Sequence, residues 1–167
     1  MKGFTLIELL VVIGILGTLS AVLLAAINPI AQLQKSSDAR RKADLESVQR
    51  ALELYYQDTG SYPPSFPGSY TITNNNASAD WGKQWLPYMA TLPKDPVSPK
   101  DTYVYYSQNG QSYYLYAHLQ RGANDPDVCN TGSACKTLLD NVGGSFPGAN
   151  ACGEVCNYGV SSPNVSP

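Results

Sequence analysis

The sequence lacks the residue patterns on which most enzyme sites depend. Its 167 residues include one histidine, His118. No Gly-rich phosphate loop, metal-binding histidine pair or nucleophile elbow is present in the sequence. We therefore expect a protein that is not an enzyme and has no catalytic residues.

Charged residues are also scarce, at 14% of the chain. Eleven Lys and Arg against thirteen Asp and Glu give a formal net charge of -2. A basic surface patch is the usual electrostatic feature of a nucleic-acid-binding protein. The composition therefore gives no specific signal for a nucleic-acid partner.

A long apolar run near the start of the chain is the main feature that the sequence does have. No side chain from Leu9 to Ile27 is charged, and a helix of this length measures about 28 Å, close to the roughly 30 Å hydrocarbon core of a bilayer. Between Phe4 and the end of the run, Glu8 is the one ionisable side chain. A carboxylate inside a membrane helix costs on the order of 3 kcal/mol, so Glu8 is expected to have a partner and a function.

The junction between Gly3 and Phe4 is the predicted processing site. A secretory signal peptide has an apolar core of about 7 to 15 residues, and the run here is longer than that. The basic residue Lys2 would hold the first residues on the cytoplasmic side of the membrane. Cleavage on that side of the apolar run is therefore favoured.

The hexapeptide at residues 3–8, Gly-Phe-Thr-Leu-Ile-Glu, followed by an uninterrupted apolar helix, resembles the class III leader of type IV pilins and type II secretion pseudopilins. The resemblance implies cleavage after Gly3 by a prepilin peptidase and methylation of the new amino group of Phe4. It also implies that Glu8 pairs with the Phe4 amine of a neighbouring subunit during assembly. Because residues four apart share a helix face, an internal pair with its own amine stays open. The alternative is an ordinary anchor helix in which Glu8 is incidental.

A second resemblance lies at residues 92–96, Leu-Pro-Lys-Asp-Pro, before a tyrosine-rich segment. Major pseudopilins have a similar turn, usually with Trp-Gly after the second proline, where this chain has Val97 and Ser98. We expect Asp95 to hydrogen-bond within its own turn. The two resemblances imply a pilin-like α+β fold, in which a long N-terminal transmembrane and amphipathic helix packs on a small antiparallel β-sheet, with a disulfide-bearing C-terminal tail.

The predicted organisation has a helical first third and a loop-rich end. Pro29 is expected to break the helix where the apolar run stops. An apolar stripe with helical spacing follows, formed by Leu45, Val48, Leu52 and Tyr55. The predicted segments are a cleaved leader at 1–3, a transmembrane and filament-core helix at 4–28, an amphipathic extension at 29–58, a connector at 59–101, a β-hairpin at 102–120 and the tail at 121–167.

The predicted hairpin turns at Asn109 and Gly110, a dipeptide typical of two-residue type I′ turns. With this turn, Tyr106 faces Tyr113 across the hairpin. The face expected to pack on the amphipathic helix carries Val104, Tyr106, Tyr113, Leu115, Ala117 and Leu119. The opposite face would present an amphipathic aromatic patch of Tyr103, Tyr105, Tyr114, Tyr116 and His118. We expect the tail to cover part of this patch and a neighbouring subunit or ligand to contact the rest.

All four cysteines lie in the predicted tail, at Cys129, Cys135, Cys152 and Cys156. An even number of cysteines in an exported, loop-rich segment indicates two disulfides. The sequential pairing is favoured because small loops close most readily, and a nested pairing stays open. Zinc is a weaker alternative because the spacing lacks the two-residue gaps of a zinc ribbon.

Asn124, Asp125 and Asp127 offer clustered oxygen ligands after the predicted hairpin. Such ligands suit a hard cation, and major pseudopilins bind calcium in a loop after the sheet. Calcium is therefore a candidate ligand by resemblance, and no other cofactor is expected. A simple Asx-Pro turn is the favoured alternative.

The predicted function is that of a structural subunit of a type IV pilus-like filament, polymerising through its apolar helix for adhesion, motility or DNA uptake. One alternative is a major pseudopilin of a type II secretion system, and another is a membrane-anchored binding module that never polymerises. The resemblance implies that the partners are copies of the chain itself, the prepilin peptidase, and an assembly platform with its ATPase. The expected location is the inner membrane before assembly, and afterwards a surface or periplasmic filament.

Overall fold

The computed structural model describes residues 3–107, 109–140 and 147–167, without the side chains of residues 24–27 and 140. Its two compact units are Met1–Ser36 and Ser37–Pro167. Met1 and Lys2 of the predicted leader lie outside the described residues.

Helix α1 spans Leu6–Ile27, and helix α2 spans Pro29–Thr59. Asn28 separates the two helices, and its backbone has a left-handed conformation with φ 44° and ψ 75°. The residue before a proline is disfavoured in the α conformation, whereas proline fits the first position of a new helix. The Asn28 side chain accepts a hydrogen bond from the Ala31 N–H at 3.3 Å, which caps α2. The helix break predicted at Pro29 is therefore present.

In the second unit, the part of α2 after Ser37 packs its apolar stripe against a β-sheet. Leu45, Val48 and Leu52 are fully buried, and Tyr55 packs against them while partly exposed. Beyond Thr59 the chain turns at Gly60, whose φ of 74° favours glycine. The predicted amphipathic helix is therefore confirmed.

The described strands form two antiparallel sheets. The strands are β1 (Ile72–Asn74), β2 (Ala77–Ala79), β3 (Val104–Tyr106), β4 (Tyr114–Ala117) and β5 (Tyr158–Ser161). The first two pair with each other, and the other three form a sheet in the order β3-β4-β5. A short helix, α3, spans Lys136–Asp140. The predicted α+β fold with a small antiparallel sheet is confirmed, but the connector contributes a hairpin and the tail contributes β5, which the sequence did not predict.

The predicted register of the central hairpin is wrong by one residue. The observed pairs are Val104 with Tyr116, Tyr105 with Leu115, and Tyr106 with Tyr114. Asn109 and Gly110 still turn the chain, but within a longer loop that is held from outside, since the Gly110 carbonyl accepts a hydrogen bond from the Tyr62 N–H at 2.8 Å. Gln108 in this loop lies outside the described residues.

The register shift exchanges the two faces of β3, because successive side chains of a strand point to opposite sides. Tyr103 and Tyr105 belong to the core against α2, and Val104 lies on the other side of the sheet. The faces predicted for β4 are correct, since Leu115 lies in the core against α2 and Tyr116 on the other side.

The predicted aromatic patch is therefore not an exposed surface. Tyr103, Tyr105 and Tyr116 have no exposed side-chain surface, and Tyr114 is half-buried. The tail covers the far side of the sheet, as predicted, and forms a second core there. This second core consists of Val104, Tyr116, Cys135, Leu138, Cys152 and Cys156.

Candidate functional site

The start of α1 is capped by its own sequence. The Thr5 side chain accepts a hydrogen bond from the Glu8 N–H at 3.3 Å. The Thr5 hydroxyl and backbone N–H donate to Glu8 Oε2 at 2.6 and 2.8 Å. Glu8 thus has hydrogen-bond partners within its own helical turn. Thr5 was not among the predicted site residues, although Thr-x-x-Glu is the signature of a capping box.

The apolar surface of α1 is exposed along its described length. Leu6–Leu23 is long and apolar enough to cross a membrane, and 0% of this window is buried. Phe4 is 82% exposed and Leu6 is 81% exposed. A contiguous apolar surface of this kind needs lipid or protein to cover it.

Gly3 and Phe4, the residues of the predicted cleavage site, lie before the first helical turn. Both are exposed and non-helical. The peptide bond between them is therefore outside the hydrogen-bonded helix.

Arg41 lies at the centre of a buried ionic cluster in the second unit. Its Nε and Nη2 donate to the two carboxylate oxygens of Asp95 at 2.7 and 2.9 Å. Nη1 donates to Asp38 at 2.9 Å, and Nη2 also donates to Asp101 at 3.0 Å. The guanidinium therefore ties α2 to the turn at residues 92–96.

Asp95 has the local role predicted for it and a second role that was not predicted. Its Oδ1 accepts a hydrogen bond from the Val97 N–H at 2.8 Å, as expected for a turn. Its bidentate contact with Arg41 was missed. The available signal was spacing, since Arg41 precedes Leu45 by four residues and so continues the buried stripe of α2.

The cluster carries more negative than positive charge. Asp38 is compensated by the backbone N–H groups of Gln120 and Arg121, both at 2.9 Å. Asp101 Oδ1 is buried and has no hydrogen-bond partner among the described residues. Burial raises the pKa of Asp101 above its usual value, and the attraction of Arg41 offsets this effect only in part.

The hydroxyl groups of several buried tyrosines are paired. Tyr103 donates to Asp44 at 2.7 Å, and Tyr105 donates to a backbone carbonyl at 2.6 Å. Tyr62 donates to Glu53 at 3.1 Å. Burial, together with this carboxylate, raises the pKa of Tyr62 to about 12. These residues stabilise the domain in their neutral form.

The cysteines form two disulfides in the sequential pairing, Cys129 with Cys135 and Cys152 with Cys156. The second disulfide closes a loop that contacts His118. His118 Nδ1 lies 2.8 Å from the Val155 carbonyl oxygen, and Nε2 lies 3.1 Å from a Glu154 carboxylate oxygen. His118 therefore attaches the second disulfide loop to the end of β4.

Two of the three candidate calcium ligands contact a lysine. Lys42 Nζ donates to Asp125 Oδ1 at 2.6 Å and to Asp127 Oδ2 at 2.8 Å. The Asp127 N–H also donates to Asp125 Oδ1 at 3.0 Å, which is the Asx turn weighed as the alternative. The third candidate, Asn124, is exposed.

These residues do not fit a calcium site. Calcium takes six to eight oxygen ligands, commonly including several carboxylates. No group of three or more His, Cys, Asp or Glu residues within the described parts of the chain could hold a metal ion.

Comparison with known proteins gives two family matches. Residues 28–130 match the family described as type II secretion system (T2SS), protein G. Residues 1–24 match the prokaryotic N-terminal methylation motif. No solved structure matches the chain.

Among similar proteins, the type II secretion system core protein G of Pseudomonas aeruginosa is 31% identical over 133 residues, which are 76% of this chain and 91% of that protein. The core protein G of Aeromonas hydrophila is 30% identical over 97 residues, 57% of this chain and 66% of that protein. The toxin coregulated pilin of Vibrio cholerae is 28% identical over 149 residues, 87% of this chain and 60% of that protein.

Proposed function

The chain belongs to the type II secretion system protein G family, and from this premise we propose that it is the structural subunit of a type IV pilus-like filament. Its relatives include both pseudopilins and a pilin, so the chain is a subunit of the pilin and pseudopilin class. The observation that carries the proposal is the exposed apolar surface of α1, which contains Glu8 in its first turn, hydrogen-bonded to Thr5.

Two successive environments would cover this surface. In the membrane, lipid surrounds α1, and the hydrogen bonds from Thr5 reduce the cost of the Glu8 carboxylate. In the filament, α1 helices of other copies replace the lipid, and Glu8 pairs with the Phe4 amine of a neighbour. Contacts of this heterologous, non-closing kind generate fibres.

The C-terminal tail supports the assignment to a pilus over a pseudopilus. The match to protein G ends at residue 130, whereas the chain continues through both disulfides. The similarity to the Vibrio cholerae pilin extends over 87% of this chain, whereas the similarity to core protein G extends over 76% for Pseudomonas aeruginosa and 57% for Aeromonas hydrophila. A disulfide-bearing tail would suit a filament exposed outside the cell.

A major pseudopilin of a type II secretion system is the second candidate. The family match itself and the turn around Asp95 favour this function. The filament would then stay in the periplasm. The candidate from another class is a single-span anchored binding module, in which Glu8 would be dispensable.

We further propose that the chain catalyses no reaction and is instead a substrate. The prepilin peptidase would cleave after Gly3 and methylate Phe4, and an assembly platform with its ATPase would drive polymerisation. Before assembly the subunit would lie in the inner membrane, anchored by α1.

The test is to compare wild type with Glu8→Gln in cells that carry the native assembly genes. Electron microscopy of sheared surface material would measure filament yield, and mass spectrometry would identify the N-terminus. We expect long filaments that start at N-methyl-Phe4, and at least a tenfold lower yield for Glu8→Gln. Glu46→Gln, an exposed site on α2, is the matched control. A normal filament yield from Glu8→Gln would contradict assembly through this carboxylate.

A second comparison separates the pilus from the pseudopilus. Deleting the gene should remove surface filaments and leave the secreted proteins unchanged if the chain is a pilus subunit. Loss of secreted proteins with no surface filaments in wild type would favour the pseudopilin. An uncleaved monomer that stays in the membrane would favour the anchored module.

A further inference from the structure

We propose that Lys42 acts as a built-in cation for the acidic loop, residues 120–127, and makes the docking of this loop on α2 independent of calcium. The loop corresponds to the candidate calcium site of the sequence. The carboxylates of Asp125 and Asp127 bind the ammonium group of Lys42 on α2 instead of a calcium ion.

The first support is the geometry around Lys42 Nζ. It donates to both Asp125 and Asp127, at 2.6 and 2.8 Å. It also lies 5.5 Å from the ring centroid of Tyr158 in β5, within the range of a cation–π contact. One ammonium group therefore connects α2, the acidic loop and the last strand.

The second support is that α2 holds the loop at both ends. Asp38 accepts hydrogen bonds from the backbone N–H groups of Gln120 and Arg121, at the start of the loop. Lys42, one helical turn later on the same face, donates to the carboxylates at its end. Along α2, the Asp38 carboxylate therefore comes before the Lys42 ammonium group, just as the backbone N–H groups come before the carboxylates along the loop.

The third support is the balance of charge and burial. The side chains of Lys42 and Asp125 are 21% and 20% exposed, whereas that of Asp127 is 65% exposed. The pair with Asp125 is therefore the stronger one, and water screens the pair with Asp127. Burial alone lowers the pKa of Lys42, but its hydrogen bonds to the two aspartates outweigh this effect and raise it.

A tethered ammonium differs from a bound metal in one measurable respect. A metal ion that binds only the folded protein raises the stability with its concentration. Lys42 is present at fixed stoichiometry in every molecule. The melting temperature of wild type should therefore be the same in chelator and in calcium.

The experiment measures the melting temperature of the full chain in detergent, with EDTA or with 5 mM calcium chloride. We expect a calcium effect smaller than 1 °C on wild type. Lys42→Met should lower the melting temperature by about 3 to 8 °C, and Lys35→Met, the same change at an exposed site of α2, should not.

A compensating variant tests whether charge is the cause. Without Lys42, the two carboxylates are left uncompensated, so adding Asp125→Asn and Asp127→Asn to Lys42→Met should recover at least a third of the loss. The proposal is overturned if calcium raises the melting temperature of wild type by 2 °C or more. It is also overturned if Lys42→Met melts like Lys35→Met, or if the asparagine substitutions recover nothing.

Discussion

Replacing Arg41 with methionine tests the buried ionic cluster directly. The side chains of Arg41, Asp95 and Asp101 are 0%, 0% and 1% exposed, so water screens these contacts very little. Breaking a buried pair by removing one partner costs about 3 to 5 kcal/mol, because the other charge is left uncompensated. Here three carboxylates lose their common cation, so we expect a loss at the upper end of this range.

The loss should depend on pH. Without the guanidinium, the pKa of Asp101 should rise further, because the attraction of Arg41 no longer offsets the effects of burial and of the neighbouring Asp95. A group whose pKa is raised on folding stabilises the folded state at low pH, and this contribution is lost as pH rises. The stability of Arg41→Met should therefore fall relative to wild type between about pH 4 and pH 7, reaching its largest deficit at neutral pH.

Thermal unfolding followed by circular dichroism would measure both effects in detergent. For a protein of this size, 1 kcal/mol corresponds to roughly 2 to 4 °C, so a loss of about 5 kcal/mol should lower the melting temperature by about 10 to 20 °C. Arg40→Met is the matched control, because Arg40 is 63% exposed and its ion pair with Asp44 spans 3.8 Å. The free energy of unfolding of Arg40→Met should decrease by less than about 1 kcal/mol. Equal losses for the two variants, or a deficit that is the same at pH 4.5 and pH 7, would refute the reasoning.

Three further predictions concern protons and disulfides. Asp101→Asn should gain stability relative to wild type as pH rises from 4 to 7, because the pKa of Asp101 is raised in the fold and ionising the wild-type carboxylate therefore destabilises it. Equal pH profiles of the melting temperature for the two proteins would contradict this. Alkaline unfolding should accompany tyrosine ionisation, since an unfolded tyrosine ionises near pH 10 and Tyr62 in the fold has a pKa of about 12, so the stability of the fold decreases between these two values. Absorbance at 295 nm, which reports tyrosine ionisation, and circular dichroism should therefore change together. Complete ionisation with the helix intact would contradict this prediction. Replacing Cys152 and Cys156 with alanine should cost about 2 kcal/mol, because their loop is short; a melting temperature equal to that of wild type would show that the disulfide does not stabilise the tail.

The start of the chain could be predicted from local spacing alone. The apolar length of α1, the break at Pro29 and the stripe of α2 depend on residues that are near one another in sequence. The same is true of the sequential disulfides, each of which closes a short loop. The capping box of Thr5 and Glu8 was equally local, and the Thr-x-x-Glu spacing would have identified it.

The interior of the second unit could not be predicted in this way. Every residue of β3 is apolar or aromatic, so the sequence did not distinguish an inner face from an outer one. The inner face depended on the register, and the contact between the Tyr62 N–H and the Gly110 carbonyl lies outside the hairpin itself. The strand at Tyr158–Ser161 is short and gains its partners only through β4.

The sequence by itself determined the membrane-length helix, the processing site expected at Phe4 and the position of Glu8, because these features depend on composition and spacing along one segment. Tertiary structure alone decided the partners of Arg41 and Lys42. Arg41 is 54 residues away from Asp95 in the sequence, and Lys42 is 83 residues away from Asp125. A charged residue on a helix looks the same in sequence whether it faces water or a buried carboxylate, and only the folded chain brings the partner to it.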